Sequence, residues 1–368
     1  IGRSNAESGI YRNVRADVLL SGLLTSLTQF EGVRTAVEDV LIGCVGQHLE
    51  QGKNIARLAT LLAGFPETTP GVTINRLCGS SLQAFSFAAM ALESQQADVL
   101  VAGGVEHMLH VPMQLALDYN TELLARYEFP FTQMGLTAEK VAEMFDVSRS
   151  AQDEYALLSH TRAVRAQQKG NFNAEIEPVI TPEGSRTQDQ VPRSDASLAG
   201  LGKLKAVFKE NGTVTAGNSS AISDGASGCL LATAEGARKL NLKKRARVEA
   251  LAVVGLDPLL MGLGPVPAIE KLLKKMKMQV SDVDLFEINE AFASQAVACL
   301  RQLKIPIEKA NCNGGAIALG HPLGCTGTRL VTTLLHELER TDKEVGVVAL
   351  CVGHGQGMAV MIKRGGGE

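Results

Sequence analysis

Residues 98–104 read DVLVAGG, an apolar run in which polar and apolar side chains do not alternate. A strand of that composition is covered on both faces, so its sheet must carry a layer of helices on each side. The rest of the chain supplies them. Apolar residues recur at helical spacing over 15–30, 80–93, 267–276 and 327–338. Strand-like runs occupy 39–45, 72–77, 226–233, 247–254, 284–288 and 345–351. The alternation predicts an α/β fold. From about 108 to 206 it weakens into polar helices (138–145 and 148–169) and loops rich in Pro, Gly, Ser and Asp, the pattern of an inserted loop domain.

A faint repeat divides the chain in two. V-E-D-V at 37–40 matches V-S-D-V at 280–283, and each follows a helix pattern and precedes a strand pattern. The same displacement carries Cys78 onto His321, and both precede a Gly-containing turn, a helix and an apolar strand. Two like halves would bring equivalent strand-to-helix turns together about a pseudo-two-fold axis.

Composition narrows the function. With 37 Gly, 4% aromatic residues and no Trp, the 368-residue chain must pack by close backbone approach and small aliphatic side chains. A formal net charge of -3 and a pI near 6.2 give no footprint for nucleic acid. The lysines of 271–277 alternate with Leu272, Leu273 and Met276, as on an amphipathic helix with a solvated face. No apolar run reaches the roughly 18 residues of a membrane span. Seven cysteines without C-x-x-C spacing read as reduced thiols in a reducing compartment, and the absence of finger spacing argues against zinc. No secretory signal opens the sequence, and residues 1–3 read as the middle of a strand-to-loop passage, so a truncated N-terminus is expected.

Three turns hold residues suited to chemistry. Cys78 lies in N-R-L-C-G-S-S-L-Q-A, between a strand pattern and a helix pattern. Free amides and the helix dipole at that position are expected to stabilise a thiolate and lower its pKa, with Gly79 letting a substrate approach the backbone. A buried structural cysteine is the plainer alternative, and the turn context favours a nucleophile. His321 lies in G-G-A-I-A-L-G-H-P-L-G-C-T-G, where five glycines and Pro322 make a rigid loop able to present a general base. Cys351 ends an apolar strand and opens C-V-G-H-G-Q-G, whose glycines leave N–H groups free as oxyanion donors. His354 in that loop reads as a spectator. In N-E-A-F-A, Asn289 can orient a water and Glu290 can act as a base, or the pair can cap a helix. The segment 214–226 gathers five hydroxyl or amide side chains, fit for a phosphate, a pantetheine amide or a plain polar turn.

Taken together, N-R-L-C-G-S-S, A-G-N-S-S-x-x-S-D-G-A, N-E-A-F-A, G-G-A-I-A-L-G-H-P and the terminal C-x-G-x-G-x-G resemble the thiolase family, in family order and across nearly the whole chain. V-G-Q-H-L-E-Q-G-K-N-I-A-R and G-G-V-E-H-M-L-H-V-P-M look closest to the degradative 3-ketoacyl-CoA thiolase subunit of bacterial fatty acid oxidation complexes. The resemblance implies a five-layered αβαβα fold of two duplicated halves (1–107 with 223–240, and 241–368) and an inserted loop domain (108–222). It implies Cys78 as the acylated nucleophile, His321 as its base and Cys351 as a second acid/base. Asn289 would hold a water that joins His321 in one oxyanion hole, and the amides of Cys78 and Gly353 would form the other. Ser220 falls where the family contacts CoA, and Met134 near the substrate channel.

CoA and 3-ketoacyl-CoA are then substrates, with no cofactor or metal required. A homodimer core, a hydratase/dehydrogenase partner subunit and a bacterial cytoplasmic setting follow from the same resemblance, with a mitochondrial or peroxisomal one left open. A biosynthetic acetoacetyl-CoA thiolase and a non-catalytic thiolase-like lipid carrier are the competing readings. Family members begin with a strand leading into R-T-P-I-G-R-S, whereas this sequence begins at Ile1-Gly2-Arg3-Ser4, so an unfilled sheet position is expected. The tail 365–367 is expected to be disordered.

Overall fold

The computed structural model describes residues 1–115, 117–127 and 130–365, so Gly366 and Gly367 of the tail lie outside the described residues. Its strands are β1 (Gly2–Arg3), β2 (Asp39–Gly43), β3 (Gly71–Ile74), β4 (Val99–His107), β5 (Val179–Thr181), β6 (Gly184–Arg186), β7 (Ser223–Ala232), β8 (Ala246–Gly255), β9 (Leu285–Ile288), β10 (Val345–Val352) and β11 (Gln356–Arg364). They form a sheet of order β1-β7-β4-β2-β3, a second of order β8-β11-β10-β9, and the separate hairpin β5-β6.

Apart from β1 and β3, each strand of the two large sheets sorts its side chains to two cores. In the first sheet Leu41, Leu100 and Ala102 face one way, into a core shared with Leu82 and Phe85 of the helix Ser80–Glu93 and with Leu330 and Leu334 of the helix Thr326–Arg340. Val348, Leu350 and Val360 of the second sheet enter that same core from the other side. Val40, Ile42, Val99 and Val101 face outward under the helices Ala16–Leu27 and Ile55–Leu62. Phe286, Val347 and Ala349 face outward under the helices Pro265–Met276 and Ala293–Leu303. The result is five layers, αβαβα, with two helices sandwiched between the sheets.

The repeat read from the sequence is a topological one. In the first half β2 is followed by β3 parallel to it, the helix Ser80–Glu93, then β4 parallel and β7 antiparallel. In the second, β9 is followed by the helix Thr326–Arg340, then β10 parallel and β11 antiparallel. The place of β3 is held there by a single parallel bridge between Phe286 and Ala310. The long strand β11 is an addition to the expected elements, because the glycines at 353, 355 and 357 interrupt the apolar pattern just where the chain turns back onto β10. The edge place beside β7 is taken, over two residues, by β1. Residues between β4 and β7 hold the helices Met134–Met144 and Arg149–Gln168 and the β5-β6 hairpin.

The two sandwiched helices begin in direct contact. A Cβ on Gly327 would lie 2.3 Å from the Leu82 nitrogen, and one on Gly43 would lie 2.2 Å from the Ser81 nitrogen. The Thr328 amide donates to Ser81 Oγ at 3.1 Å. Glycine is required at 327 because backbone stands where a side chain would go. Gly327→Ala should therefore destabilise the fold by about 3 kcal/mol, the upper range for overpacking a core. A urea unfolding curve checks this, and an unchanged midpoint would contradict the packing argument.

Candidate active site

Cys78 follows β3 through a turn held by side chains. Asn75 Oδ1 accepts from the Leu77 amide at 2.8 Å, and Ser80 Oγ accepts from the Arg76 amide at 2.9 Å while donating to the Leu77 carbonyl at 2.6 Å. Leu77 takes a left-handed conformation (φ 47°), unusual for a side chain of its size, so the turn is strained immediately before Cys78. Gly79 does not face open space, as its expected role in substrate approach would need. A Cβ there would meet Met358 Sδ at 2.8 Å and Val352 Cγ2 at 2.9 Å, so Gly79 lets the second sheet close on the Cys78 turn.

Cys78 itself stays partly accessible. Burial nevertheless pushes its thiol up to about 11, opposed by the backbone N–H groups of Gly353 and of Cys78 itself. The thiolate anticipated from the helix dipole is thus not the resting form. Cys78 precedes the first helical residue by two positions, and desolvation outweighs what the helix terminus supplies. Cys351, at the end of β10, is fully buried beside Met134, Ala138, Val214, Met261, Ala291 and Phe292. Burial pushes its thiol well above the usual range, with further upward contributions from Cys78 and Cys299.

His321 is buried on its Gly-rich loop, and burial, followed by the Arg329 guanidinium, lowers its pKa to about 3. Thr326 Oγ1 donates to the Pro322 carbonyl at 2.8 Å, so it accepts from His321 Nδ1–H at 2.6 Å. That fixes the tautomer and leaves Nε2 as the acceptor. Asn289 Nδ2 stands 3.3 Å from Nε2, and Asn289 Oδ1 is buried without a protein partner. The Asn289 amide bonds to the Ala349 carbonyl at 2.9 Å, which sets the residue beside the strand that ends in Cys351.

The remaining candidates divide. A Cβ on Gly353 would lie 3.7 Å from Met134 Sδ, so Met134 borders the site. Ser220 bonds through its amide to the Ala291 carbonyl at 2.9 Å, in the segment whose next residue, Ala221, accepts from the His321 amide. Thr215, Asn218, Ser219 and Ser223 are all engaged within the protein, by contrast with the open polar turn that their spacing allows. Asn289 and Glu290 cap no helix, since the next one begins at Ala293. Nor is Glu290 a free base: its carboxylate accepts from Ser159 Oγ (2.6 Å), Asn311 Nδ2 (2.8 Å), Tyr155 Oη (3.1 Å) and the Ile317 amide (3.2 Å). His354 packs edge-on to Tyr119 and Phe131. Thr326 went unnoticed in the sequence, although a hydroxyl five residues after the loop histidine, at a helix start, was its signal.

A fold of two equivalent sheet halves, with a cysteine and a histidine at matching turns and a second cysteine near the end of a strand of the second sheet, is that of the thiolases. The family models for the thiolase N-terminal and C-terminal domains match residues 2–235 and 242–364, and the chain belongs to this family of acyltransferases. The chain is 47% identical to a 3-ketoacyl-CoA thiolase of Cronobacter sakazakii, covering 99% of this chain and 96% of that protein. Its fold resembles human mitochondrial 3-ketoacyl-CoA thiolase (TM-score 0.89, 38% identity, covering 97% and 95% of the two chains). It also resembles the Bacillus anthracis acetyl-CoA acetyltransferase (TM-score 0.88, 38% identity, 97% and 94%).

The raised thiol sets a pH dependence. A group titrating near 11 is almost entirely protonated at neutrality, and its thiolate fraction grows tenfold per unit below that value. Alkylation of Cys78 by iodoacetamide, read by peptide mapping, should rise about tenfold per unit between about pH 7 and pH 10. A flat profile would mean that the thiolate is already formed at rest.

Proposed function

We propose that this chain cleaves 3-ketoacyl-CoA with a second CoA, giving acetyl-CoA and a shortened acyl-CoA through an acyl-Cys78 intermediate. One observation carries the reading: Cys78 sits at a strained turn, with the Gly353 turn packed on Leu77 just before it, so that the backbone N–H groups of Cys78 and Gly353 both act to lower its thiol. That is the arrangement needed to hold the oxygen of a thioester carbonyl as it becomes an oxyanion. The naming of bacterial relatives at 45–47% identity supports 3-ketoacyl-CoA as the substrate class.

His321 Nε2 takes the Cys78 proton as the sulfur attacks the C3 carbonyl. The resulting imidazolium, with a water on Asn289, stabilises the enolate oxygen when the C2–C3 bond breaks. Cys351 gives its proton to the enolate carbon, releasing acetyl-CoA, then takes the proton of the incoming CoA thiol, which attacks the acyl group on Cys78. Cys78 leaves as a thiolate and takes its proton back from the His321 imidazolium, so that protons balance over the cycle and all three groups end as they began. Residues 1–107 with 223–240 supply Cys78, and residues 241–368 supply Asn289, His321, Cys351 and Gly353. The inserted 108–222 brings Met134 to the substrate channel and Ser220 to CoA. The seven free cysteines suit a reducing, cytoplasmic setting.

Incubation with labelled 3-ketoacyl-CoA in the absence of CoA should leave label on Cys78. Cys78→Ala should take up none, whereas Cys351→Ala should still be acylated but turn over about 10² to 10⁴ times more slowly. Label on another cysteine, or a Cys351→Ala variant as fast as the parent, would contradict the assigned roles.

Assembly follows from the first sheet. Strand β3 is its edge, and Val72, Phe87 and Met90 beside it are exposed. An uncovered edge with apolar neighbours suits pairing with a second copy, and a hydratase/dehydrogenase subunit would attach to such a dimer. Sedimentation should give a dimer, and Phe87→Glu should shift it towards monomer; a parent that is active as a monomer would overturn this.

A further inference from the structure

Glu106 is a charged residue near the end of the fully buried strand β4, and the proposed chemistry does not use it. Its Oε1 accepts from the Gly46 amide at 2.9 Å and from Gln51 Nε2 at 3.1 Å. Its Oε2 accepts from the Val45 amide at 3.0 Å and from the Gly324 amide at 2.8 Å. Three of these donors belong to the first half of the chain. The fourth, Gly324, lies three residues after His321. Around it the two halves touch backbone to backbone: a Cβ on Gly104 would lie 1.9 Å from the Gly324 carbonyl, and one on Gly324 would lie 2.6 Å from the Val105 carbonyl.

We infer that Glu106 is a positioning residue that holds the His321 loop of one half against the Cys78 half, and so sets the base relative to the nucleophile. This rests on the roles given above to Cys78 and His321. Both oxygens of the carboxylate are occupied by donors, which is the pattern of an ionised group. Buried acceptors of this kind are costly to leave mismatched. In Glu106→Gln an amide NH2 must replace one oxygen and face the two N–H donors which that oxygen accepts from, so one side of the clamp opens. The negative charge matters as well, since Glu106 contributes to raising the Cys78 thiol.

The two effects have opposite signs, which separates positioning from general loss of structure. In Glu106→Gln the pH profile of Cys78 alkylation should move to lower pH, because a negative neighbour is gone. Acylation by 3-ketoacyl-CoA should nonetheless slow by about tenfold per alkylatable Cys78, with KM for CoA within about twofold of the parent. An acylation rate per Cys78 equal to the parent's would overturn the inference. A loss that appears only in KM would also overturn it. If Glu106→Gln does not fold, Glu106→Asp retains the charge and withdraws the carboxylate by one methylene, so it should show the tenfold slowing without the alkylation shift. A parent that is never acylated on Cys78 would remove the reading of the site and this inference together, whereas a normally acylated parent with an equally fast Glu106 variant would remove the inference alone.

Discussion

The close crossing of two helix starts between the sheets is the contact on which the rest depends. Ser81 and Leu82 on one helix meet Gly327 and Thr328 on the other at backbone distance. Only small residues permit this, and the approach brings two turns distant in sequence to one place. One turn carries Cys78 and the other His321. The same closeness explains why glycine is concentrated in the motifs: at 79, 104, 324 and 327 an added Cβ would strike protein atoms. Here the glycines serve the docking of one half on the other more than access for a substrate.

That docking also decides the protonation states. Closing two sheets and two helices around the turns buries His321 and leaves Cys78 only partly accessible. A thiol pushed up to about 11 and an imidazole pushed down to about 3 are both neutral at rest. Burial is the leading cause in each case, and for the histidine Arg329 adds to it. The site is therefore not a preformed thiolate–imidazolium pair. Its donors are preorganised instead for charge that develops later, at positions set by backbone amides and by Asn289.

Much of this was legible in the sequence, and the limits have physical causes. The apolar run in β4 forced a doubly covered sheet, and the matching V-E-D-V and V-S-D-V segments reported a duplicated topology that the strand order bears out. The order Cys78, Asn289, His321, Cys351 was readable because glycines and prolines mark the turns that hold them. What could not be read were consequences of tertiary burial. The thiol was expected to be acidic from its helix terminus, and desolvation reversed the sign. Glu290 read as a base or, with Asn289, a helix cap, whereas four donors from residues between 155 and 317 make it an anchor. β11 was hidden because the glycines that shape the turn at 353–355 also break the strand pattern.

A neutral resting site has a consequence for selectivity between acyl transfer and hydrolysis. In the proposed reaction, proton transfer from Cys78 to His321 would create two charges in a space that disfavours both. It becomes favourable only as the sulfur's charge passes to a carbonyl oxygen that the Cys78 and Gly353 amides can receive. Attack and proton transfer are thus tied to a bound carbonyl, and little free thiolate exists to react with other electrophiles. The acyl group of the proposed intermediate would sit in the same buried surroundings, with the Cys351 thiolate left by enolate protonation as the group able to deprotonate an attacker. A thiol is acidic enough to be deprotonated by another thiolate, whereas water is not. In the proposed cycle the pairing of two cysteines in one site would therefore favour CoA over water by matching the acidity of base and attacker, in addition to the exclusion of water.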